Sequence, residues 1–137
     1  MPFDDALTDE DYRSLADFRY VLRRFIHFSE QAAAEEDLTP RQHQALLAIR
    51  GNREGATNVA LLAARLCLKH HTVAELVQRL EKSGLIHKAA SAEDGRSVVL
   101  SLTAEGQERL NRLTISHRAE LKHIGPEIIK RLSKLSA

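Results

Sequence analysis

A chain of 137 residues, 43% hydrophobic and 28% charged, has enough material for one ordinary globular domain with a real core. With no Trp and only 4% aromatic residues, that core must rest on Leu, Ile, Val and Ala. No apolar run approaches the roughly 20 residues that span a bilayer, so no membrane partner is expected, and a single cysteine excludes an internal disulfide.

The first residues are acidic, with Asp4, Asp5, Asp9, Glu10 and Asp11, which argues against a secretory signal. Together with the lone thiol this makes the cytoplasm the expected compartment. The net charge of +1 hides an asymmetry. Residues 1–37 hold 4 basic and 10 acidic side chains (−6), residues 38–100 hold 9 and 5 (+4), and residues 101–137 hold 7 and 4 (+3). A nearly neutral protein divided this way has room for a nucleic-acid face.

In chain order, the periodicity predicts a long helix from about Asp9 to Glu35, capped by Thr8 or Asp9. Leu15, Phe18, Leu22, Phe25, Ile26, Ser29 and Ala33 fall at helical spacing on it. Phe18, Phe25, Ile26 and Phe28 cover more than one stripe, so a second subunit is a reasonable partner. Thr39-Pro40-Arg41-Gln42 is a capping box with Pro at the first helical position, opening a helix to about Arg50 with Ala45, Leu46 and Ile49 inward. Thr57 or Asn58 caps a short helix with Val59, Leu62, Ala63 and Leu66 inward. Cys67-Leu68-Lys69 has the length of a helix-turn-helix turn, without the usual glycine.

The next helix, from about His70 to Ser83, puts Val73, Leu76, Val77 and Leu80 on one stripe. Its other face carries His71, Thr72, Glu75, Gln78, Arg79 and Lys82. Such a face is either simply solvated or chemically suited to base edges. Gly84 and Leu85 fit the residues that close a helix. Two strands follow, from Ile86 to Ala90 and from Ser97 to Leu102, joined by a charged tip. Thr103 caps a helix to about Ile124, with Leu110, Leu113, His117, Leu121 and Ile124 along it. Gly125-Pro126 is read as a break before a last helix over residues 127–135, which groups Ile128, Ile129, Leu132 and Leu135. The pattern gives a mainly α fold of about six helices plus a two-stranded β wing.

This order of parts resembles the MarR family of winged helix-turn-helix transcription regulators. The pieces that carry it are Leu38-Thr39-Pro40-Arg41-Gln42, Ala60-Leu61-Leu62-Ala63-Ala64-Arg65-Leu66 and Thr72-Val73. The run Leu76-Val77-Gln78-Arg79-Leu80-Glu81-Lys82-Ser83-Gly84-Leu85-Ile86 follows, then Asp94-Gly95-Arg96 and Leu102-Thr103-Ala104-Glu105-Gly106. The resemblance implies one domain over residues 1–137. Helices over 9–35 and 103–137 would join two copies, and a lobe over 39–102 would bind double-stranded DNA at an inverted repeat. It places Thr72, His71, Glu75 and Arg79 toward bases, and Lys69 and His70 at the helix start nearer phosphate. Thr57, Lys88 and Ser97 would join them at the DNA, with Arg96 of the wing in the minor groove, oriented by Asp94. Glu75 stands where the family often has a basic residue, and His70 and His71 where small residues or Pro are more frequent. The histidines would make DNA affinity sensitive to pH below about 6.5. The family often senses small phenolic or aromatic acids; Arg23, Arg24, His27, His43 and Arg65 are candidate anion contacts for such a ligand.

Other readings of the same residues stand beside these. No catalytic motif, metal motif or cofactor motif is present, so neither an enzyme nor a cofactor is expected. His117, Glu120 and His123 form a loose helical set better read as structural or solvated, and Cys67 is read as a buried, inert thiol. A winged-helix protein-interaction module without DNA binding, or a metal or redox sensor on the same scaffold, are the rivals.

Overall fold

A computed structural model describes residues 6–93, 95 and 97–136. The wing residues Asp94 and Arg96 lie outside the described residues. The elements run α1 (Asp9–Glu35), α2 (Pro40–Arg50), α3 (Val59–Leu66), α4 (His70–Lys82), β1 (Ile86–Ala90), β2 (Val98–Leu102) and α5 (Ala104–Ser136). They form two compact units: one holds the chain up to Ala32 and from Ile115 onward, the other holds Ala33–Thr114.

The described residues contain five helices rather than six. Pro126 sits inside α5, and the expected break at Gly125-Pro126 does not occur. Proline removes one backbone donor and its ring crowds the Cβ of the preceding residue. Here that residue is Gly125, which has no Cβ for the ring to crowd. The helix therefore passes through at the cost of a hydrogen bond.

In the first unit, α1 and α5 run antiparallel. Ser29 meets His117 (Oγ to Nε2 2.7 Å), Arg24 meets Glu127 (3.2 Å), and Asp17 meets Arg131 (3.5 Å). His117 lies between the rings of Phe25 and Phe28, edge-on to each, which is where its structural role resides. The buried line of α1 in this unit is Ser14 and Val21, flanked by half-buried Phe18, Phe25 and Phe28. It is turned from the expected stripe, since Leu15 and Ile26 are exposed, as is Leu121 on α5. Tyr12, Tyr20, Ile115, Ile129 and Leu132 are also exposed.

The second unit is the winged helix. Thr39 accepts from the Gln42 amide (3.1 Å), and the Gln42 side chain accepts from the Thr39 amide (2.9 Å), so the capping box forms as read. Asn58, not Thr57, caps α3, accepting from the Leu61 amide at 2.8 Å. Ala45, Leu46, Ile49, Leu62, Val73, Val77, Leu80, Leu85, Ile86 and Leu100 make the core. β1 and β2 are antiparallel, paired from Ile86 with Leu102 to Ala90 with Val98.

Three helices end on one device. Asp37, Cys67 and Gly84 take left-handed φ of 57°, 55° and 76°, and each is followed by a leucine. The leucine amides bond back to Ala33 (2.9 Å), Ala63 (3.0 Å) and Leu80 (3.0 Å). Each bond satisfies a terminal carbonyl and folds the leucine back onto the helix just ended. This device makes the turn between α3 and α4 short without a glycine. It also overturns the reading of Cys67 as buried: the left-handed residue stands on the outside of the turn, and its thiol is exposed.

Candidate nucleic-acid interface

α4 is the element on which the site is built. Val73, Leu76, Val77 and Leu80 are buried at 0%, 9%, 1% and 0% exposure, and α4 packs through them against α2, α3 and β1. Each such side chain contributes about 1.5–3 kcal/mol of transfer free energy. The rotation of the helix about its own axis is thereby fixed. Its other face is consequently fixed in solvent: His70, His71, Glu75, Gln78, Arg79 and Lys82 are exposed and Thr72 half-buried. At ~1.5 Å per residue, this face runs for about 20 Å.

The start of α4 has no side-chain cap, with Lys69 at the N-cap position in extended conformation. Its first-turn amides keep their donor capacity, and Lys69, His70 and His71 are exposed around them. The positive end of a helix dipole beside a lysine suits an anion.

The wing is joined to this helix at its base. Thr103 Oγ1 donates to the Gly84 carbonyl (2.7 Å), and its amide donates to the Leu85 carbonyl (3.1 Å). Thr103 Oγ1 also accepts from the Gly106 amide (3.0 Å), which caps α5. Gly106 lies so close to Leu85 that a Cβ would stand 2.1 Å from the Leu85 carbonyl oxygen. The Leu-Thr-x-x-Gly run thus fastens the end of α4, the start of β1 and the start of α5 at one point. Beyond it, His87, Lys88, Ala89 and Ala90 of β1 are all exposed.

A MarR family model matches residues 36–97. Over 74 residues the chain is 38% identical to the transcriptional regulator HosA of Escherichia coli, a match covering 54% of this chain and 53% of HosA. The chain spans about half the length of the curated relatives it matches. AbsC, a MarR family transcriptional regulator from Streptomyces coelicolor, superposes with a TM-score of 0.75 at 20% identity, over 93% of this chain and 90% of that one. An S. aureus MepR mutant bound to an oligodeoxyribonucleotide gives 0.68 at 22% identity, over 86% and 94%. Residues 36–97 thus match the MarR family, and the fold is that of MarR-family winged-helix structures.

Within the lobe that matches the MarR model, the residues named from the sequence divide by position. His71, Thr72, Glu75 and Arg79 share the outer side of α4, with Lys69 and His70 at its start. Ser97 is exposed beside the wing loop, its carbonyl accepting from the Ser91 amide at 2.7 Å. Thr57 does not belong with them. It is 3% exposed, its hydroxyl accepts from Asn52 Nδ2 (2.9 Å), and its carbonyl accepts from the Leu100 amide (2.8 Å). Its role is to pin the segment before α3 to β2. Lys88 is drawn toward α4 by Glu81, at 3.5 Å. It pairs with Leu100 in the hairpin register and remains exposed.

The candidate anion contacts fall in different units. Arg23, Arg24 and His27 are exposed on α1, where Arg24 pairs with Glu127 and lies 5.8 Å from the Tyr20 ring centre. Arg65 is exposed on α3, whereas His43 of α2 is buried at 4% exposure. Gln78 and Lys82 belong to the outer face as fully as the residues singled out for it. The same helical spacing that selected His71 and Glu75 selects them. Among the described residues, no group of three or more His, Cys, Asp or Glu side chains is placed to hold a metal ion, and no helix is long and apolar enough to cross a membrane.

Proposed function

We propose that the protein is a homodimeric, sequence-specific DNA-binding regulator of transcription, acting as a ligand-responsive repressor in the cytoplasm. The observation that carries this is α4: one side locked by four core side chains, the other held out as a row of hydrogen-bonding groups. The major groove accepts one such helix, and base edges there present distinct donor and acceptor patterns. The uncapped start of α4 with Lys69 would sit on phosphate, and Arg96 of the wing would enter the minor groove. Exposed Tyr12, Leu15, Ile26, Ile115, Leu121 and Ile129 on α1 and α5 favour a second copy, since a folded monomer gains by covering such residues. Two copies would set their α4 helices about one DNA turn, ~34 Å, apart on an inverted repeat. A small aromatic acid bound by each subunit would alter that spacing and weaken DNA binding by the coupling free energy, about 1–3 kcal/mol.

Fluorescence anisotropy tests the reading, using labelled duplex from the region upstream of the protein's own gene and a random duplex of equal length. Affinity should fall steeply with salt and favour the upstream duplex, and Lys69→Ala should lower the salt slope by about 1. Salt-insensitive binding, or none above the random duplex, would favour the protein-interaction module instead.

A further inference from the structure

Glu75 is anomalous on a face suited to a polyanion. It lies mid-helix on α4, about 150° round from the buried stripe at ~100° per residue, and it is exposed. No ion pair or hydrogen bond engages it among the described residues, unlike Glu81 on the same helix, which is paired with Lys88 at 3.5 Å. Arg79 follows it by four residues, also exposed and, among the described residues, also without an ion pair.

Resting on the DNA-binding reading above, we infer that Glu75 and Arg79 form a two-residue reader that selects a cytosine and a guanine in each half-site. A carboxylate brought among phosphates is repelled unless a donor awaits it. In the major groove two bases offer an amino group, cytosine through N4 and adenine through N6. Adenine sets its N7 acceptor beside that donor, which opposes a carboxylate that can only accept. Cytosine presents N4 with no acceptor of its own beside it, so cytosine is the better partner. Arg79 has the opposite chemistry: its guanidinium donates two parallel bonds, which guanine O6 and N7 accept. Four residues of helix advance ~6 Å, and base pairs rise ~3.4 Å. The cytosine and the guanine therefore stand about two base pairs apart. Glu75 also works by exclusion, because at any other base its charge meets acceptors or phosphate without compensation.

The test is selection from a randomised duplex pool with the full-length protein, repeated with Glu75→Gln and with Glu81→Gln. Wild type should enrich cytosine at one position of each half-site and guanine about two positions away. Changing that cytosine to adenine in the selected duplex should weaken wild-type binding roughly tenfold or more. Glu75→Gln should move the preference at that one position from cytosine to adenine, which glutamine bonds in two places, and leave the other positions as they were. Glu81→Gln removes the same charge from the same helix and should return the wild-type motif. If Glu75→Gln also returns the wild-type motif, or relaxes all positions evenly, the inference is wrong while DNA binding stands. If wild type enriches nothing, the inference and the DNA-binding reading fail together.

Discussion

Gly106→Ala sets two effects of opposite sign against each other. Gly106 lies in the first turn of α5, where alanine would favour the helix by about 1 kcal/mol. The added methyl, however, would stand 2.1 Å from the Leu85 carbonyl oxygen and 3.1 Å from the Leu85 carbonyl carbon. The obstacle is backbone, so no rotamer change relieves it. Reaching ordinary contact requires α5 and the α4–β1 turn to separate by more than an ångström. That motion stretches the bonds from Thr103 to Gly84 and Leu85, now 2.7 and 3.1 Å. Overpacking alone costs about 1–3 kcal/mol, and weakening two hydrogen bonds adds about 1 kcal/mol each. After the helical gain, a net loss of about 2–4 kcal/mol is expected. Urea unfolding followed by circular dichroism measures it as a lowered midpoint at unchanged slope. An alanine variant as stable as wild type, or more so, would refute the close approach of α5 to Leu85.

Thr39→Ala removes one half of the capping box and should cost about 1 kcal/mol in the same assay. Cys67→Gly relieves a left-handed non-glycine residue at φ 55° and should raise stability by up to about 1 kcal/mol; a loss would show that the thiol makes a contact worth more than the strain. Thr57→Val should lower stability by about 1–2 kcal/mol through loss of the Asn52 bond and leave the DNA affinity of the folded protein unchanged; a weakened affinity in the folded variant would return Thr57 to the interface. The exposed Cys67 thiol should react with a thiol reagent in the native protein at the rate of a free cysteine, and protection until unfolding would contradict its position.

The periodic parts of this fold were legible without coordinates. Val73, Leu76, Val77 and Leu80 announce one buried face of α4, and a helix with one buried face has its opposite face determined too. Local chemistry was equally readable at Thr39-Pro40-Arg41-Gln42 and at Gly84, because a capping box and a glycine C′ involve residues within one turn of each other. The same device at Asp37 and Cys67 was not legible, since neither is a glycine that marks the position outright; the leucine that follows each one, burying itself at Leu38 and half-burying at Leu68, accompanies it.

What required the tertiary structure is whatever depends on residues far apart in the chain. Thr57 has the composition of a surface cap, and only the distant Leu100 and the loop residue Asn52 take it inside. Lys88 reads as a free wing cation until Glu81 claims it. Gly106 reads as part of a motif, and its reason is a carbonyl 21 positions earlier in the chain. Pro126 reads as a stop, and α5 nevertheless continues through it, with Gly125 before it offering no Cβ to the ring. Sequence alone fixes what repeats within a few residues, because helical spacing and capping are short-range. Which polar groups remain outside for a ligand is settled by long-range packing, which removes some candidates and leaves Glu75 and Arg79 exposed.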